Sequence, residues 1–191
     1  MDTVSTRTRS LTCTRQLSFC AGHRVMGHEG KCAHMHGHNY TVFVTAQAKP
    51  DSQSVDSLGR VVDFSVLKGR LDPFLQSEWD HGFILHKDDR AAISALVEFN
   101  AIARDQQPGL PASPTIIAPH RYNAHNGLLD TRFGRAHMEQ KLFLLPYNPT
   151  AENLGRFLLE VVCPHLFADL PVEIVSVDVH ETDNCSAQAS N

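Results

Sequence analysis

Two stretches of this chain place apolar residues at every second position, and this alternation constrains the fold more than any other feature. The alternating positions are Leu17, Phe19 and Ala21 in the first stretch, and Tyr40, Val42, Val44 and Ala46 in the second. Successive side chains of a β-strand point to opposite faces of the sheet. The pattern therefore predicts strands at Leu11–His23 and His38–Lys49, each with one buried face.

Three histidines continue the buried faces of these strands. His23 has the parity of the first face, and His36 and His38 have the parity of the second. Catalytic zinc is held by three protein ligands, often imidazoles, and keeps one open position. One such histidine would suggest an ordinary core residue, but three at adjacent strand ends predict a metal site. His34 shares the parity and is the alternative ligand, whereas His28 is expected to be a solvated loop residue.

Cys32 lies four positions before His36, and this spacing leaves two roles open. The thiol is either a fourth ligand that closes the metal site, or a base that the nearby cation keeps as a thiolate. We favour the base, because structural zinc sites are usually richer in cysteine. The remaining cysteines are expected to be packed or inert; they are Cys13, Cys20, Cys163 and Cys185.

The sequence around two acidic residues, Asp80 and Glu181, indicates a function less specifically. Asp80 precedes His81, and an acidic residue next to a histidine is common on protein surfaces. The pair is functional only if its loop lies near the metal. There, the aspartate would orient the imidazole, which would relay protons. Glu181 shares the parity of Val175, Val177 and Val179 in a predicted strand at Glu173–Glu181. Either the strand reaches solvent there, or the carboxylate binds an amidine-like pair of N–H groups, since a buried carboxylate needs donors.

The rest of the chain suggests helices packed on a sheet. Asp63 and Thr150 are predicted N-caps of two helices with apolar stripes. Further predicted elements are a long hairpin connection at Pro50–Gly59, a short strand at Arg60–Val62, a loop at Trp79–His81, a helix at Lys87–Arg104 and a strand at Lys141–Leu145. Hairpin-like strand groups with two helices favour an α+β fold with an antiparallel sheet.

Composition narrows the class of protein. The chain has 191 residues, 42% hydrophobic and 20% charged, with a net charge of −4. These values predict one globular domain over residues 11–191 after a disordered lead-in at residues 1–10. We expect no nucleic-acid partner and no membrane span, because basic runs and long apolar stretches are lacking. Five irregularly spaced cysteines favour a reducing cytoplasm over a disulfide framework.

Several motifs, taken in order, resemble the 6-pyruvoyl-tetrahydropterin synthase / 6-carboxy-tetrahydropterin synthase (QueD) family of tunnelling folds. They are Phe19–Arg24, Gly30–Cys32, His36–Tyr40, Val62–Phe64, Asp80–His81, Pro149–Asn153 and His180–Thr182. The resemblance implies an α+β tunnelling fold (T-fold), with an antiparallel sheet, two helices on one face and an oligomeric barrel. It also implies a homohexamer of two stacked trimers, with active sites between subunits.

The same resemblance implies a role for each matching residue. It implies Zn²⁺ on His23, His36 and His38, Cys32 as the general base, Asp80 with His81 as a second proton-transfer pair, and Glu181 at the pterin ring with Thr150 nearby. The implied substrate is 7,8-dihydroneopterin triphosphate. The segment from about residue 87 to residue 141 is longer than the family usually has there, and its histidines are expected to be unrelated to the zinc.

The reaction branch depends on two features. Three residues separate Cys32 from His36, which resembles enzymes that release acetaldehyde and form 6-carboxy-tetrahydropterin on the route to queuosine. Glu181–Asn184 resembles instead the pyruvoyl branch, which leads to tetrahydrobiopterin. We weight the first feature more heavily because it sets the distance from base to metal. A non-catalytic module that binds zinc and a pterin is the alternative from another class.

Overall fold

A long antiparallel hairpin forms the centre of the fold. In the computed structural model, which describes residues 11–96 and 141–191, β1 (Thr12–His23) pairs with β2 (His36–Ala48) along its whole length. Both predicted strands are confirmed, and the second begins at His36 rather than His38. The predicted alternation is also confirmed, since the apolar positions of both strands are buried. These side chains form one wall of the core.

The described residues form one six-stranded sheet in the order β4–β3–β1–β2–β5–β6. β3 (Gly82–His86) runs parallel to the end of β1, and β4 (Lys141–Leu145) runs parallel to β3. The prediction of an antiparallel sheet is therefore wrong for this half, and the sheet is mixed. The parallel strands β1 and β3 are not consecutive, since β2 and the helical segment Phe64–Trp79 lie between them, and a connection of this length allows two strands to run in the same direction.

The other half of the sheet is antiparallel and contains an irregularity. β5 (Val172–Thr182) pairs with β2, and β6 (Cys185–Ser190) pairs with β5. Thr45 pairs with Ser176 and Ala46 pairs with Ile174, so that Val175 is an extra residue in β5. Val175 consequently does not share the buried face of Val177, contrary to the predicted alternation. This extra residue is a β-bulge.

Two helical segments cover the buried face of the sheet. Asp63 caps α1 (Phe64–Phe74) by accepting a hydrogen bond from the Ser65 amide. A π-helical turn, Leu75–Trp79, continues α1, so Trp79 ends a helix instead of lying in the predicted loop. Thr150 caps α3 (Ala151–Phe157), which a π-helical turn (Leu158–Val162) joins to α4 (Cys163–Leu166). Both predicted caps are confirmed.

Two smaller predictions are wrong. Residues 50–59 connect β2 to α1 and do not form a hairpin, and residues 60–62 are bends rather than a strand. Helix α2 starts at residue 90 and is described as far as residue 96, within the predicted helix. Residues 1–10, 97–104 and 105–140, for which a lead-in, the rest of that helix and an irregular segment were predicted, lie outside the described residues.

The core lies between the sheet and these helices. Trp79 is fully buried, and its ring contacts those of Phe19, Phe74, Phe143 and Phe157. A second, smaller cluster lies on the opposite face of β3 and β4, where α2 packs. The α+β class with two helical segments on one face is thus confirmed. Within the described residues, no helix is long and apolar enough to cross a membrane.

Candidate metal centre and active site

Three imidazoles meet where β1 ends and β2 begins. His23 is paired with His36 in the strand register, and Ala21 is paired with His38, so the three side chains occupy one face. Their candidate ligand nitrogens all lie within 4.8 Å of one another. The ring centroids are 4.4 Å apart for His23 and His36 and 5.1 Å apart for the other two pairs. The structure therefore brings the three predicted metal ligands together.

Backbone carbonyls orient two of these rings. His23 Nδ1 donates to Pro149 O at 2.8 Å, and His36 Nδ1 donates to His34 O at 2.7 Å. Because a carbonyl can only accept, the Nδ1 atoms carry the protons and the Nε2 atoms keep their lone pairs. The Nε2 atoms of His23 and His38 are buried and have no hydrogen-bond partner among the described residues. Two unpartnered nitrogens suit a bound cation, and the hydrogen bond to Pro149 O fixes the tautomer of His23.

The surroundings keep His23 neutral. The pKa of His23 is lowered to about 4, chiefly by burial and also by repulsion from His36 and His38, although the hydrogen bond to Pro149 opposes this shift. A neutral imidazole is the form that binds a metal. Three imidazole nitrogens, with no fourth nitrogen or sulfur in the set among the described residues, fit a zinc site that keeps an open position.

Glu181 lies directly beside this triad. Its carboxylate oxygens are 3.8 Å from His23 Nε2 and 3.9 Å from His38 Nε2, and its side chain is 23% exposed. The carboxylate thus faces the histidines and does not extend into open solvent. The position follows from the bulge at Val175, after which the odd-numbered residues of β5 face inward.

A cavity of about 300 Å³ opens next to His23 and Glu181. Cys32 lines this cavity from a short 3₁₀ turn, Lys31–Ala33, whose position is fixed by a hydrogen bond from Val25 N to Cys32 O. Thr150, the N-cap of α3, also lines this cavity. The structure therefore places the predicted base and both predicted substrate residues around one cavity beside the three imidazoles.

Two further side chains in this cavity were not expected there. His28, predicted to be solvated, is half-buried, and its Nδ1 accepts from Gly30 N at 2.8 Å. Glu152 lines the cavity from the first turn of α3. Its position within the Pro149–Asn153 motif was a signal that could have identified it, because Thr150 lies two residues earlier.

His81 lies in a different region from Cys32. A second cavity, of about 590 Å³, is lined by His81 together with His36 and His38 but does not include Cys32. Asp80 Oδ2 accepts from His81 Nδ1, Asp80 Oδ1 accepts from Cys20 N at 2.7 Å, and His81 N donates to Cys20 O at 2.7 Å. Within one chain, the structure does not bring the dyad and Cys32 into one cavity.

The dyad is chemically well defined. Burial raises the pKa of Asp80, but the hydrogen bond from Cys20 N and the contacts with His81 and Lys141 lower it more, so the carboxyl is ionised at neutral pH. The ionised carboxylate fixes the proton on His81 Nδ1 and leaves Nε2 free. The imidazole is 81% exposed, and His81 has a φ of 55°, in the left-handed region. This exposed base is therefore available to a second molecule.

Comparison with known proteins decides the family. The model of the family described as 6-pyruvoyl tetrahydropterin synthase matches residues 12–191.

The chain belongs to the 6-pyruvoyl tetrahydropterin synthase family.

Relatives named 6-carboxy-5,6,7,8-tetrahydropterin synthase, from Rickettsia typhi and Rickettsia bellii, are 29% and 30% identical over 175 residues. Each match covers 92% of this chain and 96% of the relative. The predicted family resemblance is confirmed.

Solved structures agree with the fold of this family. An uncharacterized protein from Wolinella succinogenes superposes with a TM-score of 0.65 at 21% identity, covering 96% of this chain and 99% of that one. A 6-pyruvoyl tetrahydropterin synthase from Plasmodium falciparum gives a TM-score of 0.56 at 18% identity, covering 95% and 98%. At these identities the likeness supports the T-fold, as predicted.

Gly37, between the two histidines of β2, provides a test of how closely the strands must approach. A Cβ at Gly37 would lie 2.8 Å from Ala21 O, a backbone atom that cannot yield without moving β1. We expect Gly37→Ala to lower the free energy of unfolding by about 1–3 kcal/mol. Denaturant unfolding followed by circular dichroism measures the change.

Gly69 in α1 is the matched control. A Cβ there meets nothing within 4 Å, so Gly69→Ala should raise the free energy of unfolding by about 0.5–1 kcal/mol through helix propensity. Equal effects of the two substitutions would contradict the close approach at Gly37.

Proposed function

We propose that this protein is a zinc-dependent 6-carboxy-5,6,7,8-tetrahydropterin synthase. In this proposal it converts 7,8-dihydroneopterin triphosphate to 6-carboxytetrahydropterin, releases acetaldehyde and triphosphate, and acts in queuosine biosynthesis in the cytoplasm. The observation that carries the proposal is the cavity shared by Cys32 and Glu181, which adjoins three imidazoles, two of them with buried, unpartnered nitrogens. Membership of the pterin synthase family makes a pterin triphosphate the natural substrate class.

Two observations support the carboxy branch. The Rickettsia relatives that match nearly the whole chain carry that name. In addition, three residues separate Cys32 from His36, and Cys32 itself lies in the turn Lys31–Ala33. The turn keeps the thiol close to the start of β2. The pyruvoyl branch is the second candidate, since Glu181–Asn184 resembles that branch.

His23, His36 and His38 are the residues that would hold the metal. When bound, Zn²⁺ would supply Lewis-acid stabilisation of charge on the hydroxyl oxygens of the substrate side chain. The Pro149 and His34 carbonyls fix the two anchored rings before any metal arrives, so little reorganisation accompanies binding. Glu181 adds a negative charge on the open side of the triad.

Two residues of the chain would move protons. Cys32 would act as the general base on one side of the substrate, and His81, held by Asp80, would exchange the second proton. Because these groups line different cavities of one chain, we propose that His81 of a neighbouring subunit completes each site. Residues 12–20 of β1 have a strand partner on only one edge in the described chain, and an edge of this kind favours pairing between subunits in a homohexamer.

The substrate ring would be held by the cavity's carboxylates. Glu181 remains the proposed partner of the 2-amino and N3–H groups of the pterin, with Thr150 in the same cavity. The Glu181 carboxylate lies within 4 Å of His23 and His38. Glu152, by contrast, makes no ion pair or hydrogen bond among the described residues. Glu152 is therefore a second carboxylate for the same N–H pair, and both are acceptors at the rim of one cavity.

The product identifies the reaction. Incubation of the zinc-loaded protein with 7,8-dihydroneopterin triphosphate is expected to release acetaldehyde and triphosphate in equal amounts. Acetaldehyde is measured by coupled alcohol dehydrogenase, and the pterin by mass. Triphosphate release with a pyruvoyl product would favour the pyruvoyl branch, and binding without turnover would favour the non-catalytic module.

Zinc binding tests the three-histidine site. His38→Ala should lower zinc affinity by more than about 100-fold, because a direct ligand contributes more than the outer contacts whose loss costs about 10–100-fold. Competition with a fluorescent chelator measures the affinity. His34→Ala is the control: it removes the alternative ligand but keeps the carbonyl that accepts from His36. A larger loss of zinc affinity in the His34 variant than in the His38 variant would indicate that His34, and not His38, is the ligand.

Removing the thiol tests the base. Cys32→Ala should keep stoichiometric zinc and the fold but lower kcat by about 10²–10⁴-fold, the usual range for a lost general base. Cys185→Ala removes another thiol of the same cavity and should keep full turnover. Full activity of the Cys32 variant, or loss of its zinc, would contradict the role as a base.

A further inference from the structure

The dyad Asp80–His81 is held in an unusual backbone conformation by contacts from two sides. His81 has a φ of 55°, which a residue with a side chain keeps only when its surroundings enforce it. On one side, the Cys20 backbone donates to Asp80 Oδ1 and accepts from His81 N, both at 2.7 Å. The contact on the other side comes from Lys141, at the start of β4.

Lys141 reaches the end of the π-helical turn that precedes the dyad. Its Nζ donates to Asp80 O at 2.6 Å and to Gln76 O at 3.1 Å. Carbonyls at the end of a helix lack partners within the helix, so an ammonium group satisfies them well. The peptide group held at Asp80 O is the one that leads into His81, and its orientation sets the φ of His81.

The sheet brings Lys141 to this place. Lys141 pairs with Gly82 in the β3–β4 register. A Cβ at Gly82 would lie 3.1 Å from Lys141 Cβ, Cδ and O. The missing side chain of Gly82 thus leaves space for the lysine stem to fold back toward the turn. Lysine side chains commonly lay their methylene groups along such a surface while the charged end finds its partners.

Charge in the surroundings supports the same placement. Glu78, in the π-helical turn, is 4% exposed, and its Oε1 accepts from the Ser77 hydroxyl at 2.9 Å. Burial lowers the pKa of Lys141, while the charges of Asp80 and Glu78 raise it. The charges of Glu78 and Asp80 therefore both favour the ammonium form of the half-buried Lys141.

We propose that Lys141 is a positioning residue of this enzyme, whose ammonium group clamps the Asp80 carbonyl and so fixes the His81 imidazole for proton transfer. The part that concerns catalysis rests on the proposed function, whereas the clamp itself does not. Lys141 acts through the dyad and need not touch the substrate. A small displacement of a proton-transfer group lowers turnover more than it lowers substrate binding.

Amide hydrogen exchange of the zinc-loaded full chain tests the clamp without turnover. In Lys141→Met, the His81 amide should exchange at least about tenfold faster than in the wild type. Without the lysine hydrogen bonds, the local opening that exposes this amide costs less free energy. Lys141→Arg can still donate to both carbonyls and should stay within about threefold of the wild type. Lys87→Met, an exposed lysine just beyond β3, is the matched control and should leave the His81 amide unchanged.

Turnover tests the consequence. Lys141→Met should lower kcat about tenfold while KM and zinc content stay within about twofold, and Lys141→Arg should restore most of kcat. Unchanged His81 exchange and unchanged kcat in the Met variant would overturn the proposal. A lower kcat with a comparably raised KM and a comparable loss of zinc would also overturn it, because these changes together would indicate general disruption. If the wild type does not turn over the pterin triphosphate, the proposed function fails, and the exchange result still decides the clamp.

A second variant covers the case in which removal of one charge prevents folding. Lys141→Met leaves buried Glu78 without its nearby cation, so the double variant Glu78→Gln/Lys141→Met removes both charges together. It should show the same fast exchange of the His81 amide as the single variant. Wild-type protection in the double variant would overturn the proposal.

Discussion

The register between β1 and β2 is the constraint on which the site depends. It pairs His23 with His36 and Ala21 with His38, and it places Gly22 opposite Gly37, where a Cβ on Gly37 would meet the backbone of β1. A slip of one residue would turn one strand's side chains to the other face and separate the imidazoles. The buried alternation of apolar residues along both strands opposes that slip, because the same shift would expose the core. The same strand register thus buries the apolar residues and brings the three histidines together.

Distant segments complete what the hairpin begins. Asn148 accepts from Met26 N and donates to Met26 O, each at 2.9 Å, and so ties the loop after β1 to the segment before α3. The neighbouring Pro149 carbonyl then orients His23, and Thr150 starts the helix that forms one wall of the cavity. A buried polar contact of this kind fixes geometry more than it adds stability. These contacts therefore hold residues that would bind the metal, whereas the His81 imidazole is exposed.

Local patterns in the sequence were sufficient to predict the features that local physics decides. Period-two alternation identified β1, β2 and the three histidines, and capping residues identified the starts of α1 and α3. The parallel placement of β3, the π-helical turn ending at Trp79 and the separation of His81 from Cys32 were not predictable in this way. Each depends on contacts between segments far apart in the chain, such as that of Trp79 with Phe143 and Phe157. Lys141 is a further example, since no local pattern connects it with Asp80.

The bulge at Val175 separates two requirements that one strand must meet. Before it, Val172 and Ile174 face the core; after it, Val177, Val179 and Glu181 face inward. A strand with strict alternation would have to turn either Ile174 or Glu181 away from the interior. The extra residue shifts the side-chain alternation of β5 by one position. The residues that pack in the core at one end are therefore independent of the residue that faces the histidines at the other end. Mutations that repack the early part of β5 can thus accumulate while the carboxylate keeps its place beside the imidazoles.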